Sequence, residues 1–442
     1  MSKPKALVKI FTDKMSIYMY DANKNGIIKI SQEICEEINH YLHSIKYSSK
    51  VIDSLKRKGY LLDSSILCLE HPFTPFVNSL LQSHLSTLIL QVTQQCNFRC
   101  RYCSFAHNTE SSRTHTNRSM TFDVAKKSID LLSTHCSDSQ DLTISFYGGE
   151  PLLNYDLIKQ CAEYSKHAIY NKPIDYSMTT NFYAVTDEQI DFLAENKFEL
   201  LISLDGPENI HNHHRRLSAN GSGTYQRVIE NVMKIKQQHE DYFYSHVQFN
   251  PVVYFDEDPL QIVDFFKTVL GVSENSVRLQ RIDDTGLEIS YDPIDSSIED
   301  KAEALLNSKN LTYYENVLKN RSAITANYHI NGSCVPGSDK LFVSVDGEFF
   351  PCEKVNECNK NMQIGSLQNG FDFEKIKYLM NIGYMNQDNC KNCWAIRFCK
   401  MCCAHCDDGK SNLSETMLKN KCIATQNEAL KYLKNHVISN LM

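Results

Sequence analysis

The sequence predicts an α/β chain: a partial, six-stranded parallel barrel set between a small winged-helix-like module and a cysteine-rich C-terminal domain. Three observations predict it. From Thr87 onward, apolar strand-like runs alternate with amphipathic helical patterns, the signature of a parallel sheet built from right-handed crossovers. Near the start, Asn25-Gly26 marks a tight hairpin turn between two short strand-like runs. Of 17 cysteines, three lie between Cys96 and Cys103 and ten between Cys334 and Cys422.

The first module takes in residues 1–68. Ser16–Tyr20 and Ile27–Ile30 flank the hairpin turn, and Ser31 caps a helix whose apolar positions are Ile34, Ile38, Tyr41, Leu42 and Ile45. A second short helix carries Val51, Ile52 and Leu55, Gly59 closes it, and Tyr60-Leu61-Leu62 is expected to return as a strand. The alternative is a plain extension packed on the next domain. Residues 69–86 form a linker.

The barrel is expected over 87–325. Its strands are Thr87–Val92, Leu142–Tyr147, Ile174–Thr179, Glu199–Leu204, Val247–Val253 and Ser276–Ile282. Between them lie helical patterns at Phe122–Ser133, Tyr155–Ile169, Asp187–Glu195, Tyr225–His239 and Pro259–Leu270. Six strands, not eight, make a (β/α)6 TIM-like barrel that does not close, and ligands bind such sheets at the carboxyl ends of the strands. Residues 283–330 are polar and largely helical. In the last domain, 326–442, Leu341–Val345 and Glu348–Phe350 flank a second hairpin turn, Asp346-Gly347. Beyond it apolar runs are few, so metal is expected to hold the segment together.

Composition excludes several functions. With 46 basic and 53 acidic residues, a net charge of −7 and no basic block, the chain is no phosphate-neutralising nucleic-acid binder. No apolar run is long enough to cross a membrane, and MSKPKALVKIFTDKMS lacks the features of a signal peptide. A cytoplasmic location follows, and there clustered cysteines signal metal or redox chemistry and not a disulfide frame. Cys35, Cys68, Cys136 and Cys161 are scattered singly and read as small buried hydrophobes.

Cys96-Asn-Phe-Arg-Cys100-Arg-Tyr-Cys103 follows the first barrel strand. Its spacing lets one loop wrap three thiolates around three corners of a cubane cluster, leaving one iron open to a small chelator. A zinc ion with His107 as fourth ligand is the alternative.

This motif, its place after strand one and the six strands resemble the radical S-adenosylmethionine (SAM) enzymes. Tyr147-Gly148-Gly149-Glu150-Pro151 resembles their segment that meets the SAM amino group; glycines permit close backbone approach and a carboxylate suits an ammonium. Tyr102, Thr180-Asn181, Ser203 and Asp205 are the further SAM-facing positions. Twelve residues beyond Ser203, Arg215 matches the arginine used on the SAM carboxylate, with Arg216 as its neighbouring competitor. His211, His213 and His214 suggest a metal box but are better read as a polar, solvated loop.

Cys334-x12-Gly347-x4-Cys352, then Cys390-x2-Cys393-x5-Cys399-x3-Cys403, then Cys422, resembles the SPASM domain, which holds two auxiliary clusters. The resemblance implies Cys390, Cys393, Cys399 and Cys422 around one and Cys334, Cys352 and Cys403 around the other. The eighth position is an open iron or a thiolate from Cys358, Cys402 or Cys406; paired zinc sites are the alternative. Cys402 stands where many relatives carry glycine. Glu353 resembles the base of sulfatase-maturing relatives; otherwise it is a solvated glutamate beside a cluster. The first sixty residues and the linker Leu69-Glu-His-Pro-Phe resemble parts of Cys-rich-peptide maturases and related thioether-forming enzymes.

The resemblance implies three 4Fe-4S clusters, SAM, a precursor peptide with a leader and an external flavodoxin or ferredoxin-type electron donor. The leading function is thioether formation from a substrate cysteine to a carbon. Oxidation of a serine or cysteine to formylglycine is the alternative, followed by epimerisation or carbon–carbon cross-linking with Cys402 or Cys406 as hydrogen donor. Outside this class stand an iron–sulfur electron carrier and a zinc-stabilised binding module.

Overall fold

The computed structural model describes residues 6–13, 15–44, 47–103, 115–254, 257–281, 308–320, 322–330, 332, 334–410 and 413–440. His107, Ile45, Ile282 and most of the expected bridge before residue 308 lie outside them.

Three strands, β1 (Val8–Asp13), β2 (Ser16–Asp21) and β3 (Gly26–Ile30), form an antiparallel sheet in that order. The sequence reading missed β1. Asn25 enters the turn with φ 51°, a left-handed conformation that Asn tolerates better than most residues. Helices α1 (Gln32–His43) and α2 (Lys50–Arg57) are capped by Ser31 and Ser49 and close a small core of Met19, Ile30, Ile38, Ile52 and Leu61. Tyr60–Leu62 is not a strand; the return is a single bridge, Asp63 to Ala6.

A nine-stranded sheet organises the remainder. Its parallel part runs β4 (Thr87–Thr93), β5 (Leu142–Gly148), β6 (Ile174–Thr180), β7 (Glu199–Ile202) and β8 (Val247–Phe249). A sixth parallel strand, β9 (Lys340–Val343), comes from the cysteine-rich end and pairs with β4, Lys340 opposite Thr87. β10 (Glu348–Phe350), β11 (Gly365–Ser366) and β12 (Gly370–Phe371) extend that edge antiparallel.

The last expected barrel strands are shorter than the sequence suggested. Val247–Val253 breaks at Asn250-Pro251, since proline has no N–H to give a ladder. Only Val252–Val253 continues, paired with Gln280–Arg281. The helix expected over 259–270 is α-helical only to Phe265 and finishes as a π-turn, Phe266–Leu270, closed by Gly271 at φ +70°.

Period-two alternation gives the sheet two unlike faces. Ile144, Phe146, Tyr176, Met178, Leu200, Ile202, Val247 and Phe249 are buried on one. Helices α3 (Phe122–His135), α4 (Tyr155–Ala168), α5 (Asp187–Glu195), α6 (Glu208–His214) and α7 (Tyr225–Gln238) follow the strands in turn. The opposite face carries Thr143, Ser145, Tyr147, Ser177, Thr179 and Gln248, all half-buried. That polar, partly open face is the barrel interior.

The C-terminal segment does have an apolar core. Met362, Ile364, Ile376, Leu379, Ile396, Phe398 and Met401 are buried, as are Leu433 and Val437 of the final helix α8 (Glu415–Asn440). The expectation of a segment poor in core-forming residues is corrected: its apolar residues are dispersed in the chain but converge in space. Among the described residues no helix is long and apolar enough to cross a membrane.

Candidate active site

Cys96, Cys100 and Cys103 follow β4 in one loop, Cys100 buried and the others half-buried. The loop is stitched to the end of α6: Arg99 N–H donates to Arg216 O at 2.8 Å and Arg101 N–H to His214 O at 3.0 Å. Phe98 N–H faces Cys96 Sγ at 3.4 Å and Arg215 Nη1 faces Cys100 Sγ at 4.0 Å, while His115 Nε2 lies 3.9 Å from Cys103 Sγ. Burial pushes the Cys100 thiol up to about 12, against the pull of Arg215. A buried thiolate is costly alone, and a bound metal relieves that cost. Three thiols in one loop with N–H groups aimed at sulfur fit an iron–sulfur cluster.

The turn after β5 clamps this loop. At Gly148, φ +142°, an added Cβ would lie 2.0 Å from Thr93 O; at Gly149 it would lie 2.1 Å from Gln95 O. Gly149 and Glu150 N–H donate to these same carbonyls at 3.0 and 2.8 Å. The close approach that the two glycines allow is thus to the cysteine loop's own stem. Glu150 is buried and its carboxylate accepts from Leu152 N–H, Thr180 Oγ1 and Asn181 N–H at 3.0, 2.7 and 2.6 Å. Burial raises its pKa, and these bonds oppose the rise. Asn181 Nδ2 donates to Asn97 Oδ1 at 2.7 Å, a second tie to the loop. Ser203 N–H donates to Thr180 O at 2.8 Å, and the Tyr147 ring lies edge-on to Phe342 on the inner face.

Asp205 and Arg215 are both buried and paired twice over, Nε to Oδ2 at 2.9 Å and Nη2 to Oδ1 at 3.0 Å. Tyr102 Oη also donates to Asp205 Oδ2, at 2.8 Å, and Val252 N–H to Oδ1 at 3.1 Å. Burial alone would raise the Asp205 pKa; the Arg215 charge outweighs it and holds the carboxyl below its usual range. Arg216 is exposed.

The histidines depart from the solvated-loop reading. His211 and His214 are buried on α6, and only His213 is exposed. His211 accepts from Asp205 N–H at 3.3 Å and its other nitrogen meets Thr224 Oγ1 at 3.0 Å; burial drives its pKa down to about 3. His214 stacks on Tyr254 at 3.9 Å and bonds Glu257 at 2.8 Å. Three histidines in a seven-residue helix with one apolar residue are easily read as solvated, and burial on a helix face is visible only in the fold.

Sequence reasoning also missed a buried polar network inside the barrel. Gln91 Nε2 donates to Glu357 Oε1 at 2.7 Å, Gln94 Nε2 to Gln91 Oε1 at 3.4 Å and Thr116 Oγ1 to Gln94 Oε1 at 2.6 Å. The one available signal was Gln91 itself, polar within Leu88-Ile89-Leu90-Gln91-Val92. Glu357 is thereby held two residues from the cysteine-loop end of β4. Glu353 instead lies 3.8 Å from Lys340, whose backbone pairs with Thr87 at the end of β4 opposite Thr93.

The C-terminal cysteines fall into two groups. Burial raises the Cys390 and Cys399 pKa values, with Cys393 and Cys422 adding to the rise. Burial likewise pushes Cys334 up to about 11, reinforced by Cys352 and Cys402, and raises Cys403 beside Cys402, Cys334 and Cys352.

Residues 90–269 match the Radical SAM superfamily. The chain is 26 % identical over 341 residues to the radical SAM cyclopropyl synthase TigE of Paramaledivibacter caminithermalis, covering 72 % of this chain and 68 % of that one. It is 25 % identical over 352 residues to a cysteine-type anaerobic sulfatase-maturating enzyme of Clostridium perfringens, covering 74 % and 91 %. The fold matches native anSMEcpe with bound AdoMet and Cp18Cys peptide at a TM-score of 0.55 and 20 % identity, over 80 % of this chain and 98 % of that one. With the three-thiol loop at the head of the parallel sheet, residues 90–269 form a radical SAM domain.

Proposed function

We propose that this radical SAM enzyme modifies a ribosomally made, Cys-rich peptide, forming a thioether from a cysteine sulfur to a carbon. The observation that carries the reading is the three-thiol loop at the end of a parallel sheet whose inner face is polar and half-buried. When bound, the cluster and SAM supply a 5′-deoxyadenosyl radical that removes hydrogen from an unactivated carbon. The chain's own residues hold the parts in place. Cys96, Cys100 and Cys103 take the cluster; Tyr102, Tyr147, Gly148, Gly149, Glu150, Thr180, Asn181, Ser203, Asp205 and Arg215 form the SAM face. Residues 326–442 are a SPASM domain with two further clusters, fed by a flavodoxin or ferredoxin-type donor in the cytoplasm.

Residues 1–68 are read as a winged-helix-like leader-binding module, joined by residues 69–86 to the barrel of 87–325. β1 lies against α8, which leaves the β3 edge for a leader strand added by backbone hydrogen bonds.

The sulfatase-maturating relative favours a second reading, formylglycine formation. Mass spectrometry of the treated precursor separates the outcomes. A thioether removes two hydrogens and consumes a thiol; a cyclopropane removes two hydrogens and leaves thiols free to alkylate. Formylglycine from cysteine expels the sulfur, and an epimer keeps the mass. Replacing Cys96, Cys100 and Cys103 together with alanine should abolish 5′-deoxyadenosine formation. Persistent formation would assign the radical chemistry elsewhere.

A further inference from the structure

The cysteine loop and the chain leaving α6 form a short antiparallel ladder. Phe98 bridges Leu217, and Ser218 N–H donates to Asn97 O at 2.8 Å, beside the two loop bonds described above. Alternation along the ladder sorts its side chains. Phe98, Cys100 and Arg215 turn inward and are buried, whereas Arg99, Arg101 and Arg216 are exposed on the outer side, with His213 next to them. Arg101 Nη1 meets His213 Nε2, and Arg99 Nη1 donates back to Cys96 O and Phe98 O at 2.9 and 2.7 Å.

This face keeps its positive charge. Residues 94–103 and 209–224 contain no Asp or Glu. Among the described residues Arg99, Arg101 and Arg216 make no ion pair with a carboxylate, whereas the exposed Arg118 and Arg227 are paired with Asp346 and Glu230. The chain as a whole carries a net charge of −7, so three arginines on one small face locally reverse its field. None of the three guanidiniums serves SAM, whose arginine, Arg215, lies on the buried side. Arg99 and Arg101 flank Cys100 in the chain, which places the positive face one residue from a cluster thiol.

We infer that Arg99, Arg101 and Arg216 form the docking surface for the external electron donor, a small protein with an acidic face around its redox centre. The inference rests on the reading of Cys96, Cys100 and Cys103 as ligands of a cluster served by such a donor. In the step it supports, the donor is oxidised by one electron and the SAM-binding cluster is reduced by one; no bond forms or breaks and no proton moves. Opposite charge steers the donor to this face and away from the acidic remainder of the chain, which speeds encounter more than it tightens the final complex. The arginines face away from the side on which Cys100 is buried, so donor and precursor peptide do not compete for one surface.

The test compares the reconstituted full chain with an Arg101→Glu, Arg216→Glu double variant and its milder Arg101→Gln, Arg216→Gln counterpart. Arg99 is kept, because its guanidinium caps carbonyls of the loop. The probe is a purified flavodoxin of acidic surface. Oxidised flavodoxin should bind the unaltered chain with an affinity that falls as salt is raised; the Glu pair should bind about tenfold more weakly at low salt and lose most of that salt dependence. Formation of 5′-deoxyadenosine driven by reduced flavodoxin should fall in parallel, while formation driven by dithionite, and the iron content, stay unchanged. The Gln pair should lie between. Unchanged flavodoxin affinity in both variants overturns the assignment. So does an equal loss of dithionite-driven cleavage or of iron, which would make the arginines supports of the loop, and so does lost precursor affinity with flavodoxin binding intact. An unaltered chain that binds flavodoxin through these arginines yet cleaves no SAM with dithionite keeps the surface and overturns the cluster reading beneath it, a distinguishable failure.

Discussion

At the scale of single residues, the site is governed by buried charges that answer one another. Arg215 spends two nitrogens on Asp205 and turns a third toward Cys100. A carboxylate left alone at full burial is expensive, and removing one partner of a buried pair costs about 3–5 kcal/mol. Arg215→Ala should therefore lower the unfolding free energy by about that much, read from denaturant unfolding of the cluster-free chain. A loss below about 1 kcal/mol would mean that water reaches Asp205 and that the pair is no structural element. Any effect on SAM affinity has to be judged after this cost. The motif spacing pointed to Arg215, but no sequence feature told that Asp205 would occupy it, because the partners meet only when β7 and α6 pack.

At the scale of elements, strand and helix identities were legible because apolar period and caps agree. Asp187–Glu195 is helical over the range its pattern indicated, and the structure adds a capping box of Thr186 and Gln189. Elements were misjudged where a local rule was weaker than tertiary contact. β1 was missed because Val8–Asp13 alternates poorly, and Tyr60–Leu62 fails as a strand because Leu61 adopts φ 55° while its N–H donates to Asp21 at 2.7 Å. The turn between β5 and α4 shows what packing adds to motif reading. Gly149→Ala puts a methyl against Gln95 O, a backbone atom that cannot rotate away. The cost should exceed the about 1–3 kcal/mol of ordinary overpacking, since the cysteine loop itself must shift. SAM cleavage should be lost together with the loop's iron in the variant. A Gly149→Ala enzyme with wild-type iron and cleavage would show that the turn does not clamp the loop.

At the scale of the whole molecule, the N-terminal module has its own small core but is fastened to the cysteine-rich end. Tyr20 packs on Phe398 at 5.4 Å and on Trp394 at 6.4 Å, ring to ring. Asn25 Nδ2 donates to Val317 O and Asn320 O at 2.6 and 2.7 Å, and the buried Arg397 donates to Ala22 O and Asn23 O. These contacts flank Cys393 and Cys399, which bracket Trp394–Phe398 in sequence. Deleting residues 1–62 removes none of the thirteen clustered cysteines, yet it uncovers Phe398 and takes two carbonyl partners from Arg397. A buried aromatic side chain contributes roughly 1.5–3 kcal/mol, and the segment holding Cys393 and Cys399 depends on it. The truncated chain should thus bind less iron than the full chain and lose precursor modification for that reason as well as through any lost leader grip. Iron per chain and leader affinity, measured on the same preparations, separate the two causes. Full iron with modification abolished would leave leader binding as the module's whole contribution. Full iron with modification intact would remove both roles and leave the module as packing support for the cysteine-rich end.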